Sequence, residues 1–150
     1  MSRNDLGPVL FAYDGSELAK LAIEEAGRQL EPGRDAVVLT VWRPFAVGFI
    51  PPHDVKFDAA APDQVRNAAE KTAAEGVSMA QAAGFRAQSL QVEEAPTWKA
   101  IVRAADDYDA GLIVLGSHGK SGFPGKFLGS VAGAVAAHSA RTVLIVHRRA

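Results

Sequence analysis

Apolar positions along the chain follow two alternating rhythms. Continuous apolar runs fall at residues 8–13, 36–42, 112–115 and 142–146. Such a run is what a strand buried on both faces of a sheet requires. A fifth, weaker run at 87–92 (Ser89, Leu90, Gln91, Val92) alternates polar with apolar and predicts a less buried strand. Between these runs the period lengthens to that of a helix. Ala19, Ala22, Ile23, Ala26 and Leu30 form one stripe, while Lys20, Glu24 and Arg28 line another face at i, i+4 spacing. A long helix is predicted over 63–83, with Val65, Ala69, Thr72, Gly76, Ala80 and Ala83 on one stripe. Those side chains are small, so this helix can approach a sheet closely. Pro96 and Thr97 open a third helix, whose Trp98, Ile101, Val102 and Ala105 read as core packing. A fourth covers 131–137.

The punctuation agrees. Asp14-Gly15-Ser16 stops the first strand, and Ser16 is placed to cap the helix after it. Pro32-Gly33 makes a turn, and Gly84 stands where a C-terminal cap belongs. The order is βαβαβαβαβ with no second composition, which predicts one domain over residues 1–150. The expected fold is α/β: a three-layer sandwich, a five-stranded parallel sheet with helices on both faces. Ligands of such sheets bind at the carboxyl ends of strands where the strand order reverses. Two strand ends carry suitable residues, Asp14-Gly15 after the first strand and Gly116 onward after the fourth.

Composition narrows the function. Hydrophobic residues make up 48% and charged residues 22%, ordinary for a globular domain. With 16 basic and 17 acidic residues the net charge is −1, so an electrostatic nucleic-acid binder is not expected. The absence of cysteine excludes disulfides, thiol catalysis and cysteine-based zinc sites. His53, His138 and His147 show no metal-ligand spacing, and no metal site is expected. No apolar run is long enough to cross a membrane, and no secretory leader is evident. A cytoplasmic protein is the expectation.

The chemistry concentrates in residues 116–131, GSHGKSGFPGKFLGSV. Five glycines sit at 116, 119, 122, 125 and 129 between a buried strand and a helix start, with Lys120 and Lys126 among them. Glycine lets backbone N–H groups approach a ligand, and a helix N-terminus adds unpaired donors and partial positive charge. Together they predict an anion site, most often for phosphate. A Walker A loop would need glycine at 114, which is Val, and the dinucleotide fingerprint would need it at 118, which is His. What is present is Gly116, two residues, Gly119, nine residues, then Gly129-Ser130, with free N–H groups and a hydroxyl expected from the last pair. Residues 43–62 hold Pro44, Pro51, Pro52 and Pro62 without a period, and read either as a lid or as a surface excursion.

The G-x2-G-x9-G-S spacing, Tyr13-Asp14-Gly15-Ser16, the run LIVLGSHG at 112–119 and the terminal VLIVH together resemble the ATP-binding branch of the universal stress protein family. The resemblance covers nearly the whole chain. It implies the sheet order 3-2-1-4-5, with the first and fourth strands adjacent. It also implies ATP as the ligand, with Mg²⁺ held mainly by the phosphates. By position, Asp14 meets the ribose, Ala12 and Tyr13 flank the base and Val41 packs on the adenine. Leu115 and Gly116 line the pocket. His118, Gly119, Gly129, Ser130, Val131 and Ala132 lie at the phosphates. Ala132 departs from the hydroxyl residue frequent there, and Arg141-Thr142 from a common Cys-Pro pair. The family pairs through the fifth strand, so a homodimer through Val143, Leu144, Ile145 and Val146 is expected.

Bland readings stand beside these. Asp14 organises its turn in any case, and Ser130 caps the fourth helix in any case. Lys120, Lys126 and His118 face either phosphate or solvent. No Ser-His-Asp arrangement or close carboxylate pair supports catalysis, so no catalytic residue is assigned. A nucleotide-dependent stress-response binder or switch is the leading reading. A slow ATPase or nucleotidyl-transfer enzyme and a non-nucleotide interaction protein are its rivals.

Overall fold

In the computed structural model, residues 6–42, 62–119 and 128–148 are described. Their elements are β1 (Val9–Ala12), α1 (Glu17–Gln29), β2 (Asp35–Trp42), α2 (Pro62–Ala82), β3 (Arg86–Glu93), α3 (Thr97–Asp107), β4 (Leu112–Gly116), α4 (Ser130–His138) and β5 (Val143–Val146). The strands form one sheet in the order β3-β2-β1-β4-β5, parallel throughout. This is the α/β architecture and strand order expected from the sequence.

Strand alternation divides the core in two. Val9, Phe11, Val38 and Val114 point to the face covered by α1 and α2, where Ala22, Ile23, Ala26 and Ala80 meet them. Leu10, Val37, Leu39, Ile113 and Leu115 point to the opposite face, under α3 and α4. Both sets are buried, which is why β1, β2 and β4 read as unbroken apolar runs. Each fully buried Leu, Val, Ile or Phe contributes about 1.5–3 kcal/mol.

The edges differ from the centre. β3 is half-exposed along its length, as its weak alternation predicts. β5 does not have both faces buried in the single chain: Val143, Leu144 and Ile145 remain half-buried, because β5 has a neighbouring strand on one side only. It also starts one residue later than expected, although the Thr142 carbonyl still accepts from the Ile113 N–H at 2.9 Å. The Ser16 cap is present, with Oγ accepting from the Ala19 N–H at 3.2 Å, a contact of about 1 kcal/mol. Trp42 closes a small cluster with Val65, Ala68 and Ala69. The expected lid or excursion at 43–62, apart from Pro62, lies outside the described residues, as do Lys120, Gly122, Gly125 and Lys126.

Candidate functional site

The strand order reverses between β1 and β4, which pair with Val9 opposite Leu112 and Phe11 opposite Val114. Their carboxyl ends therefore bring Asp14 and the start of the glycine-rich loop side by side. Asp14 Oδ1 accepts from the Ser16 N–H at 2.9 Å, a local turn that fixes the carboxylate at the head of α1. Its Oδ2 faces Gly119, where an added Cβ would stand 2.8 Å away. The two loops thus meet across the crevice, and a side chain at 119 would press on the Asp14 carboxylate.

β4 leaves the sheet through Gly116, where a Cβ would come within 2.8 Å of Leu18 Cγ on α1. Ser117 follows and is 2% exposed. Its N–H donates to the Val146 carbonyl at 2.8 Å, and its carbonyl accepts from the Gly129 N–H at 2.7 Å. Its Oγ lies 3.1 Å from His118 Nδ1. The sequence marks Ser117 only by its place between Gly116 and His118.

Two expectations for Gly129-Ser130 need correction. The Gly129 N–H is not free, because the chain leaving β4 turns back and presents the Ser117 carbonyl to it. Gly129 contributes its missing Cβ instead, since one would meet Ser117 O at 3.0 Å and His118 Cα at 3.3 Å. Ser130 does not cap α4. Gly129 is the N-cap, extended at φ −62°, ψ 163°, with no side-chain cap bond, and Ser130 is the first helical residue. The first intrahelical bond runs from the Gly133 N–H to the Gly129 carbonyl at 2.9 Å. The amides of Ser130, Val131 and Ala132 come before that bond and have no carbonyl of their own helix to donate to. They make the positive end of α4.

The apolar candidates gather on one face. Ala12, Val41, Leu115, Val131 and Ala132 all belong to the cluster under α3 and α4. Tyr13 does not join them. It is 3% exposed, and its ring packs with Phe11 and Val38 under α1 and α2. Its hydroxyl donates to Glu75, and Glu75 lies 3.6 Å from Lys20 Nζ. Burial first, and then the Glu75 carboxylate, push the Tyr13 phenol well above its ordinary pKa. Only the Tyr13 backbone reaches the crevice, held by its N–H to the Leu39 carbonyl at 2.9 Å and its carbonyl to the buried Thr40 Oγ1 at 2.9 Å. Thr40, a buried hydroxyl inside an apolar run, thus ties β2 to the residue before Asp14. Among the described residues, no group of three His, Asp or Glu side chains is placed to hold a metal ion. No described helix is long and apolar enough to cross a membrane.

A doubly wound parallel sheet with an aspartate, a glycine turn and a helix N-terminus near its switch point has the architecture in which α/β domains place ligands at the carboxyl ends of their strands. Residues 6–147 match the universal stress protein family, and the chain belongs to it. A universal stress protein of Mycolicibacterium smegmatis is 33% identical over 153 aligned residues, covering 95% of this chain and 46% of the relative. The chain spans about half the length of the curated relatives it matches. Among solved structures, a universal stress protein in complex with cAMP is 28% identical with a TM-score of 0.64, covering 94% of this chain and 96% of that one. The universal stress protein of Archaeoglobus fulgidus in complex with dAMP shares the fold, with a TM-score of 0.64 at 21% identity over 93% of this chain and 96% of that one.

Proposed function

We propose that this stress-family chain binds ATP in the β1/β4 crevice and acts in the cytoplasm as a nucleotide-dependent binder or switch, residues 1–150 forming one nucleotide-binding domain. The observation that carries the reading is the meeting of Asp14 Oδ2 and Gly119 across the switch point. It gives a hydroxyl acceptor and a close backbone approach in one place, and the amides that open α4 have no carbonyl of their own helix to donate to. Ala12, Val41 and Leu115 supply the apolar wall for adenine, and Asp14 the ribose contact. His118, Gly119 and the amides of Ser130, Val131 and Ala132 take the phosphates. Ala132 is 2% exposed, so its amide serves rather than its side chain. With Asp14 assigned to the ribose, Mg²⁺ is held mainly by the phosphates. That two universal stress proteins of this fold hold adenine nucleotides, cAMP and dAMP, supports the ligand class. We further propose a homodimer through β5.

Ser130→Asp tests the site. Ser130 is exposed in the first turn of α4, where an acidic side chain suits the helix by about 0.3–1 kcal/mol. The same carboxylate occupies the anion seat and repels phosphate. Calorimetry is expected to show ATP affinity reduced at least about tenfold, about 1.4 kcal/mol, with the melting temperature held or raised. Unchanged affinity in the variant would show that the phosphates bind elsewhere. A wild-type protein with neither ATP binding heat nor an ATP-dependent rise in melting temperature would refute the reading.

A further inference from the structure

Ser117 is tied at three points, to β5 through its N–H, to the start of α4 through its carbonyl, and to His118 through its hydroxyl. The first two bonds belong to any chain at this position. The third depends on serine. At 2% exposure the hydroxyl has little access to water, so its hydrogen needs an acceptor within the protein. Among the described residues the hydrogen-bond partner of Ser117 Oγ is His118 Nδ1, at 3.1 Å.

A neutral imidazole carries its proton on one nitrogen, and the hydrogen bond made by the other decides which. If Nδ1–H donated to Oγ, the serine hydrogen would be left without a partner in a buried place, at a cost of about 1–3 kcal/mol. If the hydroxyl donates to Nδ1, the hydroxyl hydrogen and Nδ1 are both satisfied and the ring proton moves to Nε2. The ring lies along the start of α4, with its Cδ2 3.5 Å from where a Gly129 Cβ would stand. Nε2 is the atom bonded to that carbon, so it lies on the side of the ring next to the N-cap of α4.

We propose that Ser117 is a positioning residue that locks His118 in its Nε2–H tautomer, making the neutral imidazole a fixed donor to the anionic group of the ligand. This rests on the nucleotide reading above for the identity of the anion, and on the Ser117–His118 geometry alone for the tautomer. The lock lets a neutral ring act as a donor without having to be protonated. It also aligns the ring before the ligand arrives, so less rotamer freedom is lost on binding.

The test uses the full chain with ¹⁵N-labelled histidine at about pH 8.5, above the ordinary imidazole pKa of about 6.5. The His118 ring signals are assigned by their loss in His118→Ala. Wild type is expected to show a single Nε2–H tautomer, and Ser117→Ala a mixture of both. Titration with ATP is expected to give Ser117→Ala an affinity roughly fivefold lower, the worth of about one hydrogen bond. In a His118→Ala background, Ser117→Ala is expected to change nothing further, whereas a merely structural serine would weaken binding in both backgrounds. An Nδ1–H tautomer in wild type, or one that Ser117→Ala leaves unmoved, overturns the assignment even in a protein that binds ATP. A Ser117-dependent tautomer in a protein that takes up no ATP refutes the nucleotide reading and, with it, the donor role, while leaving the lock itself established.

Discussion

Ala12 and Tyr13 are adjacent in sequence and stand on opposite sides of the sheet, Ala12 with the cluster under α3 and α4 and Tyr13 with the cluster under α1 and α2. Strand geometry alone forbids both side chains from flanking one base, because successive residues point to opposite faces. The sequence contained that much. Which of the two lines the crevice depends on which helices cover each face, and Tyr13 lies under α1 and α2 with its hydroxyl donating to Glu75, 62 residues away. The placement has a consequence for pH. The folded chain holds the Tyr13 phenol protonated above its ordinary range, through burial first and Glu75 second. Above about pH 10 the unfolded chain releases that proton while the native chain keeps it, so the native state binds more protons and stability falls as pH rises. Below about pH 10 the contribution is fully present. Tyr13→Phe is expected to cost about 1 kcal/mol at neutral pH, the worth of one hydrogen bond, and to flatten the alkaline loss. Urea unfolding midpoints of the two proteins, compared from about pH 8 to about pH 11, measure this; parallel pH profiles would contradict it.

At the scale of elements, the small-residue stripe of α2 was legible because its physical meaning is local: a helix without bulky side chains can lie close to a sheet. Gly76 shows how close. A Cβ there would fall 2.7 Å from both Tyr13 Cδ1 and Val38 Cγ1. Two effects oppose each other on Gly76→Ala. The helix gains about 0.8–1.0 kcal/mol of intrinsic propensity, while overpacking a filled core costs about 1–3 kcal/mol. Both contacts are buried core side chains, one of them a ring held by its own hydrogen bond, so overpacking wins and the melting temperature is expected to fall. A rise would mean that α2 sits further from the sheet. The start of α4 was less legible. Gly129 and Ser130 are both acceptable N-caps, and the choice was made by the Ser117 carbonyl taking the Gly129 N–H, a contact between the end of one element and the start of another. Arg141 is similar. It bonds Asp106 at 2.9 Å, Asp109 at 3.1 Å and the Ala110 carbonyl at 2.7 Å, clamping the end of α3 to the approach of β5. Nothing local to Arg141-Thr142 announces a partner 31 to 35 residues away.

At the scale of the whole molecule the two sheet edges are built differently. β3 carries Arg86, Gln88, Gln91 and Glu93 and is half-exposed throughout, a polar edge that discourages strand addition. β5 is Val-Leu-Ile-Val without a charge, and three of its four residues are half-buried in the single chain. Beside it runs a groove of about 470 Å³ floored by Leu112 and the strand, and walled by Leu21 and Leu30 of the α1 side. The polar groups of β5 are divided by the alternation of the strand. The Ile113 N–H goes to the Thr142 carbonyl and the Ser117 N–H to the Val146 carbonyl, so residues 142, 144 and 146 face β4. Val143 and Ile145 therefore present their N–H and C=O groups outward, along the edge that the proposed dimer covers. Proline at the first residue of an edge strand removes an outward donor without disturbing the inner ladder. Val143→Pro is expected to leave the fold and the circular dichroism spectrum intact while weakening self-association at least about tenfold, one lost edge hydrogen bond in each protomer. Sedimentation of wild type as a dimer at micromolar concentration, with the variant shifted to monomer, meets the expectation. A wild type that sediments only as monomer sinks the dimer, and a variant that stays dimeric moves the interface away from β5.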